Sequence, residues 1–213
     1  MAFEFEAPES TQGEGGPISE PGTYHIVVTE VREGESSNGK PIDGITITMD
    51  VLAGTVKSEV GKSKSESVFA PDMTKDEKNQ VAARRRLAAL FIAGNVMQPQ
   101  QLGKPVNIDV NALNGQQFVV KFERQFKQNE KTQKWDVETP YVQISYSDIY
   151  HVDDPEVAAV PKNSDALSLI PAELRHTAEW FDWNKKRPAE VKSQAKQTKE
   201  TVGAGSGGGN DIF

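Results

Sequence analysis

Lys121, Arg124, Lys127, Lys131 and Lys134 share one stretch of chain with Phe122, Phe126 and Trp135, against only Glu123 and Glu130. Cations at intervals of three or four residues, interleaved with aromatic rings, suit a polymer that offers both phosphates and flat rings. A positive groove follows such a backbone, and each base stacked on an aromatic face contributes roughly 1–3 kcal/mol. Phe122 shares the face of Phe118 and Val120 and reads as core. For Phe126 and Trp135, nearer the turn, stacking on a ligand and packing in the core are both open.

Two further basic groups extend this candidate surface. Arg84, Arg85 and Arg86 are consecutive, and neighbouring residues on a helix point about 100° apart, so at least one faces solvent. Arg84 and Arg85 either prolong a phosphate path or solvate an outer face and pair with Asp76 or Glu77. Lys57, Lys62 and Lys64 fall in a polar stretch between two strand-like runs, where they either line the strand's route or are solvated.

Other chemistries find little support. Gly61-Lys62-Ser63 matches the end of a phosphate loop, but the glycine that motif needs five residues earlier is Val56. His25, His151 and His176 are scattered, with no spacing for a metal site or a catalytic triad. Asp153-Asp154 precede a proline and read as a solvated turn. The chain has no cysteine, so it forms no disulfide or thiolate site, which fits a reducing cytosol. No apolar run approaches the roughly 20 residues needed to cross a bilayer. The expectation is a soluble, cytoplasmic, non-enzymatic binding protein without cofactor or metal; a homo-oligomer is compatible with it.

The elements that must position these residues are mainly strands. Pro21-Gly22 opens a run in which Tyr24, Ile26 and Val28 alternate with other residues. Asn38-Gly39 signals a turn. Ile45, Ile47, Met49 and Val51 then alternate with Thr46, Thr48 and Asp50, the clearest strand in the chain. Ser65–Phe69 reads as a short third strand. Thr74 and Glu77 form a capping box for a helix carrying Val81, Leu87, Leu90 and Phe91, stopped by Gly94-Asn95. Val106–Val110 is a short strand or a loop edge. Phe118 to Phe126, a polar turn, and Trp135 to Tyr146 make a long hairpin. Five strands with a helix after the third give the element order of a five-stranded Greek-key oligonucleotide-binding barrel. A short amphipathic helix is expected from about Pro171 to Lys186.

Charge divides the chain further. The net charge is −7, yet Glu4, Glu6, Glu9, Glu14 and Glu20 sit without a base in residues 1–20, an acidic arm expected to be disordered. Residues 21–150 form the domain, 151–187 a linker with the short helix, and 188–213 a disordered tail. The acidity lies outside the barrel, so whole-chain charge does not exclude a polyanionic ligand. The tail passes through glycine-rich residues 203–209 into Asn210-Asp211-Ile212-Phe213. Asp211, Ile212 and Phe213 suit an apolar partner pocket with a basic rim.

The run Pro21-Gly22-Thr23-Tyr24-His25-Ile26-Val27-Val28, followed by Asn38-Gly39-Lys40-Pro41 and the alternating strand to Val51, resembles the opening of a family of bacteriophage single-stranded DNA-binding proteins. The tail is similar to the tips of single-stranded DNA-binding proteins, though with fewer acids. The resemblance spans residues 20–150. It implies an oligonucleotide-binding fold, sequence-independent cover of single-stranded DNA in phage replication or recombination, and replication or recombination proteins met through the tip. The alternative is a phage protein–protein adaptor that binds no nucleic acid.

Overall fold

In the computed structural model of this chain, residues 16–128 and 132–181 are described, apart from the side chains of residues 138 and 139. Five strands carry the architecture: β1 (Gly22–Glu35), β2 (Pro41–Gly54), β3 (Ser63–Phe69), β4 (Gln117–Gln128) and β5 (Trp135–His151). They form one antiparallel sheet in the order β3-β2-β1-β4-β5. A helix, α1 (Glu77–Ala93), intervenes between β3 and β4, and a short helix, α2 (Ser164–Ser168), follows β5. The ladder is open, since β3 and β5 remain edges; the closed barrel expected from element order is not present as a continuous ladder.

Alternation explains the core. Tyr24, Ile26 and Val28 of β1 point the same way as Ile45, Ile47, Met49 and Val51 of β2 and Phe118, Val120 and Phe122 of β4. Leu90 and Phe91 of α1 close over this face, with Met97 and Leu113 from the connection that follows. Each large apolar side chain buried here contributes about 1.5–3 kcal/mol. At Gly44 the strands approach so closely that a Cβ would stand 2.3 Å from the Val68 carbonyl oxygen.

On the opposite face, β1 and β4 bury a second, smaller layer. His25, Gln117 and Val119 are buried there, as are Val152 and Val157, and His25 and Gln117 hydrogen-bond to Asn163 and Ala166. Residues 151–175 therefore belong to the same compact unit as the sheet, which extends to Arg175. Of the second unit, His176–Phe213, the described part is a single turn in which the His176 ring stacks on Trp180 at 4.0 Å.

Several local expectations change. The N-cap of α1 is Asp76, whose carboxylate accepts from the Asn79 N–H, while Thr74 instead donates to Asp72. Asp76 stands one residue before the helix and offers a charged acceptor to its unpaired amides, the stronger cap. Val106–Val110 forms no strand; a 3-10 turn starts at Val110. The region from Pro171 holds a 3-10 turn, Ala172–Leu174, not a helix running from Pro171.

Candidate nucleic-acid interface

Strand β4 outruns its neighbour. Gly22, the first residue of β1, pairs with Phe122, so Glu123–Gln128 pair with β5 alone and project as a two-stranded ribbon. Phe122 is 1% exposed and belongs to the core. Alternation carries Arg124, Phe126 and Gln128 along the Phe122 side, past the last β4 residue that pairs with β1. Gln128 pairs with Trp135, which brings Trp135 to that same side. Phe126, Trp135 and Val137 are 39%, 62% and 67% exposed, so neither aromatic is core.

The ribbon's other side is also basic and aromatic. Lys127 sits with its ammonium 5.7 Å from the centroid of the Tyr141 ring, a cation–π contact. Between the Lys127–Asp136 and Gln125–Tyr141 pairs, β5 has extra residues that include Pro140, which has no N–H to offer a ladder. Gln128 donates to the Gln133 carbonyl, closing the ribbon next to the exposed Lys134. Lys131 lies outside the described residues.

The lysines of the β2–β3 connection lie at this same end of the sheet, because β2 ends and β3 begins where β4 leaves β1. Their availability differs. Lys62 donates to Glu59 at 2.8 Å, and Glu59 also accepts from the backbone and hydroxyl of Ser19. Burial alone would raise the Glu59 carboxyl, but the hydrogen bonds from Lys62 and Ser19 outweigh it and hold it below the usual range. Lys64 lies 3.7 Å from Glu66. Lys57 forms no ion pair among the described residues. On β4, Lys121 contacts Glu123 at 2.7 Å and Asp148 at 4.0 Å. Arg124 contacts Glu20 at 3.4 Å.

Glu20 is held in place from behind. The Tyr24 hydroxyl donates to its carbonyl at 2.8 Å. Burial, then the charges of Glu59 and Glu20, push that hydroxyl up to about 12, so it stays a donor at neutral pH. Glu20 had no signal in the sequence as an interface residue, because its partner lies 104 positions away. Tyr141 and Val137 were also missed, although both follow the hairpin's alternation.

Arg84 and Arg85 do not join this surface. All three arginines of α1 are exposed, but Arg84 and Arg85 line a cavity of about 980 Å³ with Glu33, Gly44 and Ala70, at the opposite end of β1, β2 and β3. Arg86 instead lies over the Tyr146 ring, 5.4 Å from its centroid. The cavity is walled by apolar residues such as Leu87, Phe91 and Met97, and Lys104 also lines it. Asp211, Ile212 and Phe213 lie outside the described residues.

Among the described residues no cluster of three His, Asp or Glu could hold a metal ion, and no helix is long and apolar enough to cross a membrane. His25 and His151 are buried in structural hydrogen bonds. No family model matches this chain, and no curated protein does.

Proposed function

We propose that this chain binds single-stranded DNA without sequence preference, through the β4–β5 ribbon, in phage DNA replication or recombination. The observation that carries the proposal is the exposed pair Phe126 and Trp135 on a ribbon that also bears Arg124, Lys127 and Lys134. Bases stack on the two rings while the cations meet successive phosphates. Lys57 continues the phosphate path at the same end of the sheet, and Arg84 and Arg85 take no part. Arg124 exchanges the Glu20 carboxylate for a phosphate when the strand arrives.

Strand order supports an oligonucleotide-binding barrel as the underlying fold. A β1-β2-β3 meander, β1 paired with β4, and a helix between β3 and β4 are the connections of that family. The two edges also approach one another, since the Ile144 backbone on β5 lies near enough to the buried Glu66 carboxyl on β3 to offset part of the rise that burial causes. In this reading a buried side chain closes the seam that a ladder closes elsewhere. The tail's Asp211, Ile212 and Phe213 recruit a replication or recombination protein.

The test is tryptophan fluorescence during titration with oligothymidine at two salt concentrations, with duplex DNA as control. Quenching by the single strand that weakens as salt rises is the expected result, because neutralised phosphates release counterions. Absence of quenching together with absence of a gel shift would end this proposal and leave the adaptor reading.

A further inference from the structure

Residues 3–6 alternate two chemistries. Phe3 and Phe5 are separated and followed by Glu4 and Glu6, and Glu9 and Glu14 add further charge with no base among them. In an extended chain, residues two apart point the same way at about 6.6 Å spacing. The segment can thus present phenyl rings with the Glu9 carboxylate along one side and further carboxylates along the other, the same company of flat ring and anion that a single strand offers.

The chain leading out of this segment is anchored beside the ribbon. Ile18 is buried and its N–H donates to the Ser63 carbonyl, while the Ser63 N–H donates to Gly16. Pro17 bridges Ser63 in the parallel sense, so Gly16 points back toward Lys62, at the ribbon's end of the sheet. Ser19 is fastened to Glu59, and Glu20 already rests on Arg124 at 3.4 Å. The ten residues between Phe5 and Gly16 reach up to about 35 Å, more than the ribbon's length of roughly 20 Å.

We propose that the acidic, phenylalanine-bearing segment at residues 3–14 lies on the ribbon as an internal substitute for a single strand, its rings against Phe126 and Trp135 and its carboxylates among the cations of that side, Arg124 first. The contact Glu20–Arg124 is the first of this series. The competition half of the inference rests on the proposed DNA binding; occupancy of the ribbon by the segment does not. The tail is the poorer occupant by charge, since residues 183–213 carry Lys185, Lys186, Arg187, Lys192, Lys196 and Lys199 against Glu190, Glu200 and Asp211.

The chain lacks cysteine, so Ala7→Cys in the full-length protein accepts a single nitroxide. The label is expected to broaden the Trp135 indole N–H resonance in the absence of DNA, and to release it when salt or oligothymidine is added. An unaffected Trp135 resonance would overturn the inference whatever the protein binds. Broadening that no oligothymidine relieves would overturn the competition and place the fault with the DNA reading. In parallel, the full chain carrying Glu4→Gln, Glu6→Gln, Glu9→Gln and Glu14→Gln should bind oligothymidine about tenfold tighter at low salt, as for a site blocked about nine-tenths of the time. Unchanged affinity in that variant would overturn the competition, while occupancy is judged by the Trp135 resonance.

Discussion

The Nδ1 of His25 on β1 accepts a hydrogen bond from the backbone N–H of Asn163, 3.2 Å away and 138 positions later in the chain. Its Nε2 therefore carries the proton and donates to Gln117 Oε1 at 3.0 Å, and Gln117 passes the chain on to the Ala166 carbonyl. This relay fastens the 151–175 segment to the sheet, and it works only with a neutral imidazole. Burial pulls the His25 pKa down to about 4.

Stability should consequently fall in mild acid. In the unfolded chain His25 takes up its proton near pH 6.5, but in the folded protein only near pH 4, so acid favours unfolding between those values. The contribution is present in full above about pH 6.5, and of order 3 kcal/mol is lost by pH 4. Urea unfolding at pH 7.5, 5.5 and 4 measures it. A His25→Gln variant with an equally steep decline between pH 6.5 and 4 would assign the effect elsewhere.

Glu66 behaves in the opposite sense. Burial raises its carboxyl, only partly offset by Lys64 and the Ile144 amide, so the folded protein favours the protonated form. Stability is then lost as pH rises through the folded value, and below the ordinary carboxylate range there is nothing to lose. Glu66→Gln keeps the shape of the side chain without the charge. We expect it to melt above the parent at pH 8 and together with it at pH 4. A variant that melts lower at both would mean that the charge itself holds the seam.

Trp135 and Lys127 can be changed without touching the core. Trp135→Ala and Lys127→Ala should each leave the melting temperature within about 2 °C of the parent, given exposed positions. Trp135→Ala should weaken oligothymidine binding by 1–3 kcal/mol, about 5- to 150-fold. Affinity that survives in the double variant would place the strand on another surface. Phe122→Ala is the contrasting control, costing about 3–5 kcal/mol of stability from its site in the core.

Gly44 tests the close approach of β2 and β3. Gly44→Ala would drive a methyl group into the Val68 carbonyl, where a backbone atom cannot step aside as a side-chain tip can. The expected loss exceeds about 2 kcal/mol, read as a lowered urea midpoint at unchanged slope.

The strands were legible because period-two alternation is a local property: Ile45 to Val51 announces a face whatever lies opposite. The same alternation placed Phe122 in the core but left Phe126 and Trp135 open, because where β1 stops pairing with β4 is not a local property. What the sequence did not display depends on pairing across distance. Nothing near Glu20 signals Arg124, and nothing near His25 signals Asn163. Arg84 and Arg85 looked like part of one basic surface because charge is visible in a sequence and the end of a sheet is not. The segment from Val152 to Ala166 lacks periodicity, since single residues such as Val152 and Val157 are buried instead of a continuous face.

The end of β1 at Gly22 divides β4 into two thermal regimes along one backbone. Phe118 to Phe122 hold hydrogen-bonded neighbours on both sides, and their amides should exchange with solvent only when the whole domain opens. Beyond Phe122 each amide has one neighbouring strand and little covering mass, so opening there is local and frequent. Any occupant of the ribbon, nucleic or peptidic, would register as a selective slowing of exchange at Arg124–Gln128, while Phe118–Phe122 kept its native rate.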